Sequence, residues 1–285
     1  MIFDPRRCEL GEGPFWHPGR GQLFWFDILH SRLMSRGPAG MEEWAFPEMV
    51  SAAGWISHDE MVIAGEGGLF RFDLASGRRV RLAAVQAGHP STRSNDGRAD
   101  RQGGFWWGTM GRRGGGDPGR GALWRWHRGE TRCLVQGLTI PNSICFTPDG
   151  RFAHFSDTAT RQVMKVALDA EGWPMAAPEV FLDLRDEGLN PDGAVIDAEG
   201  AMWLAQWGAG RVAAYGPDGR FLRAVAVGAP HSSCPAFGGP GLEVLFVTTA
   251  QEGMPPEARL ACPDAGKVFA LQGVARGLPE PRVLA

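Results

Sequence analysis

The chain has 285 residues, of which 44% are hydrophobic, and its 29 basic and 32 acidic side chains leave a formal net charge of -3. This length can bury a substantial core in one large domain or two small ones, and the charge excludes a global attraction to nucleic acid. The 11 Trp and 16 Phe exclude disorder for most of the chain. Because no apolar run approaches the roughly 18 residues of a membrane span, and MIFDPRRCELGEG lacks a signal-peptide core, we expect no membrane partner and a cytoplasmic protein.

The apolar segments are short and have the length of strands. In chain order they are QLFWFDI, EMVIAGEGGLFRFD, GGFWWGTM, RFAHFSD, AMWLAQW and LEVLFVTTA. Turn-forming residues bound them, and no helical period longer than about ten residues is convincing. Four Asp-Gly pairs are interpreted as hairpin turns that need positive φ: Asp96-Gly97, Asp149-Gly150, Asp192-Gly193 and Asp218-Gly219.

These strands belong to an internal repeat. Units open near Gly11, Ser51, Ser94, Pro141, Pro191 and Ser232. Their third strands recur as SRLMSRG, GLFRFDL, GALWRWH, RQVMKVAL, GRVAAYG and GKVFALQ. Six units of about 45 residues predict an all-β fold, a six-bladed β-propeller that occupies residues 1–285 as one domain. Closure of the ring is expected to pair MIFDPR with the last blade, near PRVLA.

Several familiar motifs are absent or lie in the wrong context. The five cysteines are odd in number and form no CxxC pair, which argues against a disulfide framework or a thiolate zinc site. The seven histidines, His89 among them, are scattered and form no HExxH. One GxGxxG match, at residues 114–119, precedes a strand-like run and is interpreted as a flexible loop, because a dinucleotide fingerprint needs a helix there.

The unit openings carry oxygen-bearing side chains that a propeller would bring to one central channel. Glu12 lies in Gly-Glu-Gly-Pro, Asn142 in Pro-Asn-Ser and Asp192 in Pro-Asp-Gly, while Asn95 and Asp96 lie in a fourth opening. Carboxylate and amide oxygens suit a hard divalent cation with positions left open for water or substrate. For each residue alone, the alternative is a turn former.

The sequence also resembles the senescence marker protein/gluconolactonase family, which includes regucalcin and bacterial sugar-acid lactonases. The resemblance is carried by LGEGPFWHP, RSNDGRADRQGGFWWGTM, GLTIPNSICFTPDG, FSDT and LNPDGAVIDAEGAMWLAQWGAGRV, with HSSCPAFGG and LFVTTA extending it. It implies a six-bladed propeller with one divalent metal held by Glu12, Asn142 and Asp192. It also implies that Arg93 and Asn95 bind substrate and that Asp192 is the catalytic acid/base.

The rim of the expected site departs from the family. Part of the family has an acidic residue shortly after the GTM segment, where this chain has Arg113. Arg112 and Arg113 are either a solvated loop pair or a recognition site for an anionic group. Arg113 and His231 are therefore possible rim residues. Trp16, Trp55, Trp106 and Trp207 either pack between blades or face a sugar ring.

The expected function is metal-dependent hydrolysis of a small-molecule sugar lactone to an aldonic acid. Ca, Zn, Mn, Mg and Fe(II) all suit oxygen ligands, so the cation stays open. Alternatives are a metal-dependent esterase or phosphotriesterase, and a non-catalytic metal-binding or protein-interaction propeller. We expect a monomer or a weak homo-oligomer.

Overall fold

The structure is a computed structural model that describes residues 1–86 and 91–285, so His89 lies outside the described residues. Over these residues, 24 strands form six antiparallel sheets of four strands. This arrangement confirms the all-β, six-bladed propeller. The assignment of all 285 residues to one domain stays a prediction. No helix within the described ranges is both long and apolar enough to cross a membrane.

The first strand of the chain, β1 (Ile2–Asp4), precedes five blades built from strands that follow one another in sequence. Blade 1 contains β2 (Gly11–His17), β3 (Gln22–Asp27), β4 (Arg32–Gly37) and β5 (Gly40–Ala45). Blade 2 contains β6 (Val50–Trp55), β7 (Glu60–Gly65), β8 (Gly68–Asp73) and β9 (Arg79–Ala84). Blade 3 contains β10 (Thr92–Ala99), β11 (Phe105–Gly111), β12 (Gly121–His127) and β13 (Glu130–Leu138).

The second half of the ring repeats the pattern. Blade 4 contains β14 (Pro141–Phe146), β15 (Phe152–Asp157), β16 (Gln162–Ala167) and β17 (Glu179–Asp183). Blade 5 contains β18 (Asn190–Ile196), β19 (Met202–Trp207), β20 (Arg211–Tyr215) and β21 (Phe221–Ala226). Blade 6 contains β22 (Ser232–Gly238), β23 (Val244–Thr249) and β24 (Val268–Gln272), with β1 as its outer strand and a short helix, α1 (Pro256–Ala261), before β24.

The first strand of each unit is the innermost strand of its blade. β2, β6, β10, β14, β18 and β22 contact one another in sequence around the ring, and β22 returns to β2. Buried apolar side chains fill the space between blades and hold the sheets together, with Trp25, Trp106, Trp107 and Trp203 almost fully buried. Because all six innermost strands run in the same direction, their first residues meet at one end of the channel.

Ring closure differs in part from the expectation. The N-terminal strand does join blade 6, where Ile2 pairs with Phe269 and Asp4 with Val268 of β24. The prediction that its partner lies near PRVLA is wrong. That segment instead reaches blades 2 and 3, with the Val283 N–H donating to the Trp55 carbonyl at 2.9 Å. Proline at 279 and 281 removes backbone donors from the tail, whereas β24 offers a continuous apolar strand edge.

Two of the four predicted Asp-Gly turns are also wrong. Asp149-Gly150 and Asp218-Gly219 lie in turns, but Asp96-Gly97 lies inside β10 and Asp192-Gly193 inside β18. In these strands glycine is needed because it has no side chain, and not because its backbone adopts positive φ. A Cβ on Gly97 would lie 2.8 Å from the Trp106 carbonyl oxygen, and one on Gly193 would lie 2.3 Å from Cys234 Sγ. These glycines therefore let neighbouring strands approach the axis closely.

Candidate functional site

Each innermost strand has an irregular register with its neighbour near the point where the strand begins. The pairing shifts between Glu12 and Phe15 in β2, between Asn142 and Cys145 in β14, and between Pro191 and Ala194 in β18. A bulge of this kind redirects a side chain that regular alternation would aim elsewhere. The three predicted metal ligands all lie at these irregular positions.

The backbone after two of these ligands adopts positive φ. Gly13 has φ of 54°, and a Cβ there would lie 2.2 Å from the Ser51 carbonyl oxygen, so the position requires glycine. Ser143 has φ of 58° although it is not glycine. Its hydroxyl donates to the Asp192 carbonyl at 2.5 Å and lies 2.8 Å from Ser156 Oγ. These hydrogen bonds offset the cost of the left-handed backbone and tie β14 to β18.

The innermost strands open into a cavity of about 340 Å³ at this end of the channel. Its lining includes all five residues that the sequence proposed for metal and substrate. The lining residues are Leu10, Glu12, Arg93, Asn95, Met110, Arg112, Arg113, Gly114, Ile140, Asn142, Thr158, Asp192, Trp207 and Glu252. Residues separated by up to 242 positions thus share one small concave surface, which is typical of a binding site.

The two carboxylates of the predicted metal set are buried without enough positive charge nearby. Burial, reinforced by the negative charge of Asp96, raises the pKa of Glu12 to about 8. Burial also raises the pKa of Asp192 well above its usual range, with the charge of Glu12 as the next cause. Arg93 is the buried cation beside them. A bound cation would relieve this repulsion, so the electrostatics of the cavity favour one.

A chain of hydrogen bonds orients the polar side chains between these carboxylates. Arg93 Nη1 donates to Asn95 Oδ1 at 2.8 Å, and Asn95 Nδ2 donates to Asn142 Oδ1 at 2.9 Å. Asn142 Nδ2 donates to Thr158 Oγ1 at 2.9 Å, and the Thr158 hydroxyl donates to the Pro191 carbonyl at 2.7 Å. Because Thr158 uses its proton on Pro191, it accepts from Asn142, which leaves Asn142 Oδ1 on the opposite side as an acceptor.

The donor set fits a hard divalent cation. Glu12 and Asp192 offer carboxylate oxygens, and Asn142 offers an amide oxygen with one lone pair beyond its bond to Asn95. Across residues 1–86 and 91–285 there is no cluster of three or more His, Cys, Asp or Glu side chains placed to hold a metal. The predicted set has two acids and a neutral third ligand, and the oxygen-only chemistry matches calcium, magnesium or manganese more readily than a thiolate metal.

The rim residues have different surroundings. Arg113 lines the cavity with a largely exposed side chain whose Nη2 pairs with Asp117 Oδ1 at 2.5 Å. His231 stays outside the lining residues. Its ring stacks on Trp207 with centroids 4.3 Å apart. Of the four tryptophans considered, Trp207 lines the cavity, and Trp106 is buried with its Nε1 donating to Asp100.

Sequence reasoning missed Thr158 and Glu252. Apart from Arg112, Arg113 and Trp207, it drew its candidates from the openings of innermost strands, whereas the connections between second and third strands reach the same end of the ring. Arg112 follows β11, Thr158 follows β15 and Glu252 follows β23, and all three line the cavity. The sequence contained the information needed to find them, because the second strand of each antiparallel blade returns the chain to the end of the ring at which the first strand began.

A six-bladed propeller with an oxygen-lined polar cavity on its axis is the class of protein that the fold and the site define. The sequence model described as the SMP-30/Gluconolactonase/LRE-like region matches residues 10–251. The chain belongs to this family, which confirms the resemblance seen in its motifs.

Individual relatives match over nearly the whole chain. A putative sugar lactone lactonase from Rhizobium meliloti (strain 1021) is 41% identical over 281 residues, covering 96% of this chain and 93% of that protein. An L-arabinolactonase from Azospirillum brasilense is 35% identical over 283 residues, covering 97% and 92%. The crystal structure of a calcium-binding protein, regucalcin, from Agrobacterium tumefaciens has a TM-score of 0.96 at 38% identity and covers 100% of this chain and 97% of that one.

Proposed function

We propose that this protein is a divalent-metal-dependent hydrolase of sugar lactones. The observation that carries the proposal is the convergence of Glu12, Asn142 and Asp192, beside Arg93 and Asn95, in one cavity with two charge-destabilised carboxylates. Relatives named for lactonase activity on sugar lactones support the reaction class. The name of the calcium-binding structural relative supports calcium among the candidate cations.

Opening a cyclic ester requires a polarised carbonyl, an activated water and a proton for the leaving alkoxide. A divalent cation held by Glu12, Asn142 and Asp192 would supply the Lewis acidity for the carbonyl and lower the pKa of bound water. Asn142 is a neutral ligand, so it preserves more of the positive charge than a third carboxylate would. The alternative of a thiol nucleophile lacks support, because burial raises the pKa of the Cys234 thiol well above its usual value.

The protein's own side chains orient the reactants and move the proton. The Asp192 carboxylate accepts a proton from the attacking water and returns it to the ring oxygen as the C–O bond breaks. Asn95 lies between Arg93 and Asn142, and its fixed amide faces the cavity where the lactone binds. Arg93 holds Asn95 in place and opposes the negative charge of the surrounding acids.

The test is proton release from five- and six-membered aldonolactones. Metal-stripped protein is assayed with Ca, Mg, Mn, Zn or Fe(II) restored in turn, and spontaneous hydrolysis is subtracted. We expect turnover that requires a cation. Absence of turnover with every cation, in protein that binds the cation and is folded, would contradict the lactonase assignment and favour another ester, a phosphotriester or a binding role.

The chain contains its own matched control for Asp192. Asp192→Asn should lower kcat/KM by at least about 100-fold, since even residues that only support metal ligands cost 10- to 100-fold. Asp218 lies in an identical Pro-Asp-Gly tripeptide on an exposed turn of the same blade. Asp218→Asn should leave kcat/KM unchanged. Equal effects of the two substitutions would place the chemistry elsewhere.

A further inference from the structure

The cavity wall formed by blade 6 carries a carboxylate, Glu252, that the proposed chemistry does not use. Glu252 follows β23 and lines the cavity together with Arg93 and Asn95. Its backbone N–H donates to the Glu9 carbonyl at 2.8 Å, and the Gln251 N–H donates to the same carbonyl at 2.9 Å. The backbone at Glu252 is therefore anchored, which fixes the point on the wall from which its side chain extends.

The Glu252 carboxylate retains its hydrogen-bonding capacity. Arg93 is its main electrostatic partner, and Glu252 is the strongest of the acidic charges that favour the charged form of that guanidinium. Arg93 nevertheless directs Nη1 to Asn95 Oδ1 and to the Ser94 carbonyl. Within the described ranges, the Glu252 carboxylate accepts no hydrogen bond. Its lone pairs are thus available to a molecule in the cavity.

The cationic groups of the cavity are already matched by acids. Arg112 Nη2 lies 2.7 Å from Glu66 Oε2, and Arg113 pairs with Asp117. The third guanidinium, Arg93, faces Glu252, Glu12 and Asp192. Among the residues that the structure describes, every guanidinium of the lining is therefore opposed by the charge of at least one carboxylate, which disfavours an anionic substituent. The lining does offer a carboxylate acceptor, which binds hydroxyl donors.

We propose that Glu252 determines specificity by accepting hydrogen bonds from hydroxyls of the substrate, so that the cavity selects neutral hydroxylated lactones over hydroxyl-free and phosphorylated ones. This inference rests on the proposed lactonase function and names the substrate class of the same site. A carboxylate acceptor discriminates strongly here, because a ring without the hydroxyl leaves it partly desolvated and unpaired.

The test compares three kinds of substrate in one variant. kcat/KM is measured on gluconolactone, on unsubstituted δ-valerolactone and on 6-phosphogluconolactone, for the parent protein and for Glu252→Ala. We expect the preference for gluconolactone over valerolactone to fall by about tenfold to a hundredfold, the range of a hydrogen bond to a charged group. Activity on the phosphorylated lactone should rise relative to gluconolactone, since a repelling charge is gone.

Two further variants separate specificity from folding. Glu252→Gln keeps the size and one acceptor oxygen, so its preference should lie between those of the parent and Glu252→Ala. Glu257→Gln changes an exposed acid on α1 and should leave all three substrates unchanged. A merely structural role for Glu252 would lower activity on all substrates in parallel, and that result would overturn the inference.

The experiment distinguishes failure of this inference from failure of the proposed function. If the parent hydrolyses lactones and Glu252→Ala keeps the same preference, the inference is wrong and the lactonase function stands. If the parent has no lactonase activity, calorimetry with the non-hydrolysable gluconolactam decides. Binding that is lost in Glu252→Ala, in folded protein, supports the hydroxyl contact, and binding that is absent or unchanged overturns it.

Discussion

Two groups of buried carboxylates, one in blade 3 and one on the axis, differ in whether the protein provides their partners. Asp100 Oδ1 accepts from the N–H groups of Gln102 and Gly104 at 3.0 and 2.7 Å. Its Oδ2 accepts from Trp106 Nε1 at 3.0 Å and from Arg125 Nε at 2.6 Å. Glu12 and Asp192 are as deeply buried, yet burial raises the pKa of both, with the charge of Asp96 adding to the effect on Glu12 and the charge of Glu12 adding to the effect on Asp192. Burial alone therefore does not mark a functional acid, whereas burial without enough compensating positive charge does.

The arrangement around Asp100 recurs in blade 5. Asp197 accepts from the N–H groups of Glu199 and Ala201 and from Trp203 Nε1. In both blades an Asp closes the turn after the innermost strand and binds a Trp six positions later. These acids hold the turn to the sheet, so their role is structural in both blade 3 and blade 5.

The largest effect expected from this comparison is on the free energy of unfolding. Asp100→Ala leaves the fully buried Arg125 without its carboxylate, and we expect a loss of about 3 to 5 kcal/mol in the free energy of unfolding. Urea unfolding measures it. Asp100→Ala combined with Arg125→Met should lose less than Asp100→Ala alone, because the uncompensated charge is gone. A double variant less stable than the single one would contradict this account.

Replacing a buried carboxylate on the axis should, in contrast, preserve or raise the stability of the metal-free protein. The raised pKa of Asp192 means that ionisation destabilises the folded, metal-free protein, so this stability is present at low pH and lost as pH rises. Asp192→Asn should therefore melt at or above the parent temperature in chelator at pH 8. It should also lose much of the stabilisation that a divalent cation gives the parent. Thermal unfolding with and without cation checks both, and a melting temperature well below the parent would show that Asp192 is a structural acid like Asp100.

His154 is a third case, a buried polar side chain without partners that lies away from the cavity. Neither ring nitrogen has a hydrogen-bond partner in the part of the chain that the structure describes. Burial, aided by the charge of Lys165, lowers the pKa of His154 to about 3. The unfolded chain takes up the proton near pH 6.5, so stability present above that pH is lost as pH falls towards 3.

Replacing His154 should remove this pH dependence. Between about pH 6 and 4 the parent should lose about 1.4 kcal/mol per pH unit relative to His154→Leu, which has no proton to take up. The free energy of unfolding in urea at several pH values gives the difference, and carboxylates common to both proteins cancel. Parallel curves for the two proteins would mean that His154 is protonated in the folded state.

Much of the fold and part of the site could be predicted because they depend on local pattern. Strand-length apolar runs at a spacing of about 45 residues require neighbouring units to bury one another, which leads to six blades. The motifs around Glu12, Asn142 and Asp192 are contiguous, so a resemblance to the family identified them residue by residue. Glu252 lies outside every motif that carries the resemblance, and Thr158 lies in FSDT without a role assigned to it. Their place on the cavity wall depends on how connections between second and third strands meet in space.

The sequence by itself determined the repeat and the family. Only the tertiary structure decided what the three Pro-Asp-Gly tripeptides do. Asp149 and Asp218 lie in tight turns in which Gly150 and Gly219 have positive φ, whereas Asp192 lies in a bulged innermost strand against Cys234 of the next blade. The chemical difference between these identical tripeptides arises from their distance to the axis, where strands from six distant segments exclude water and concentrate charge.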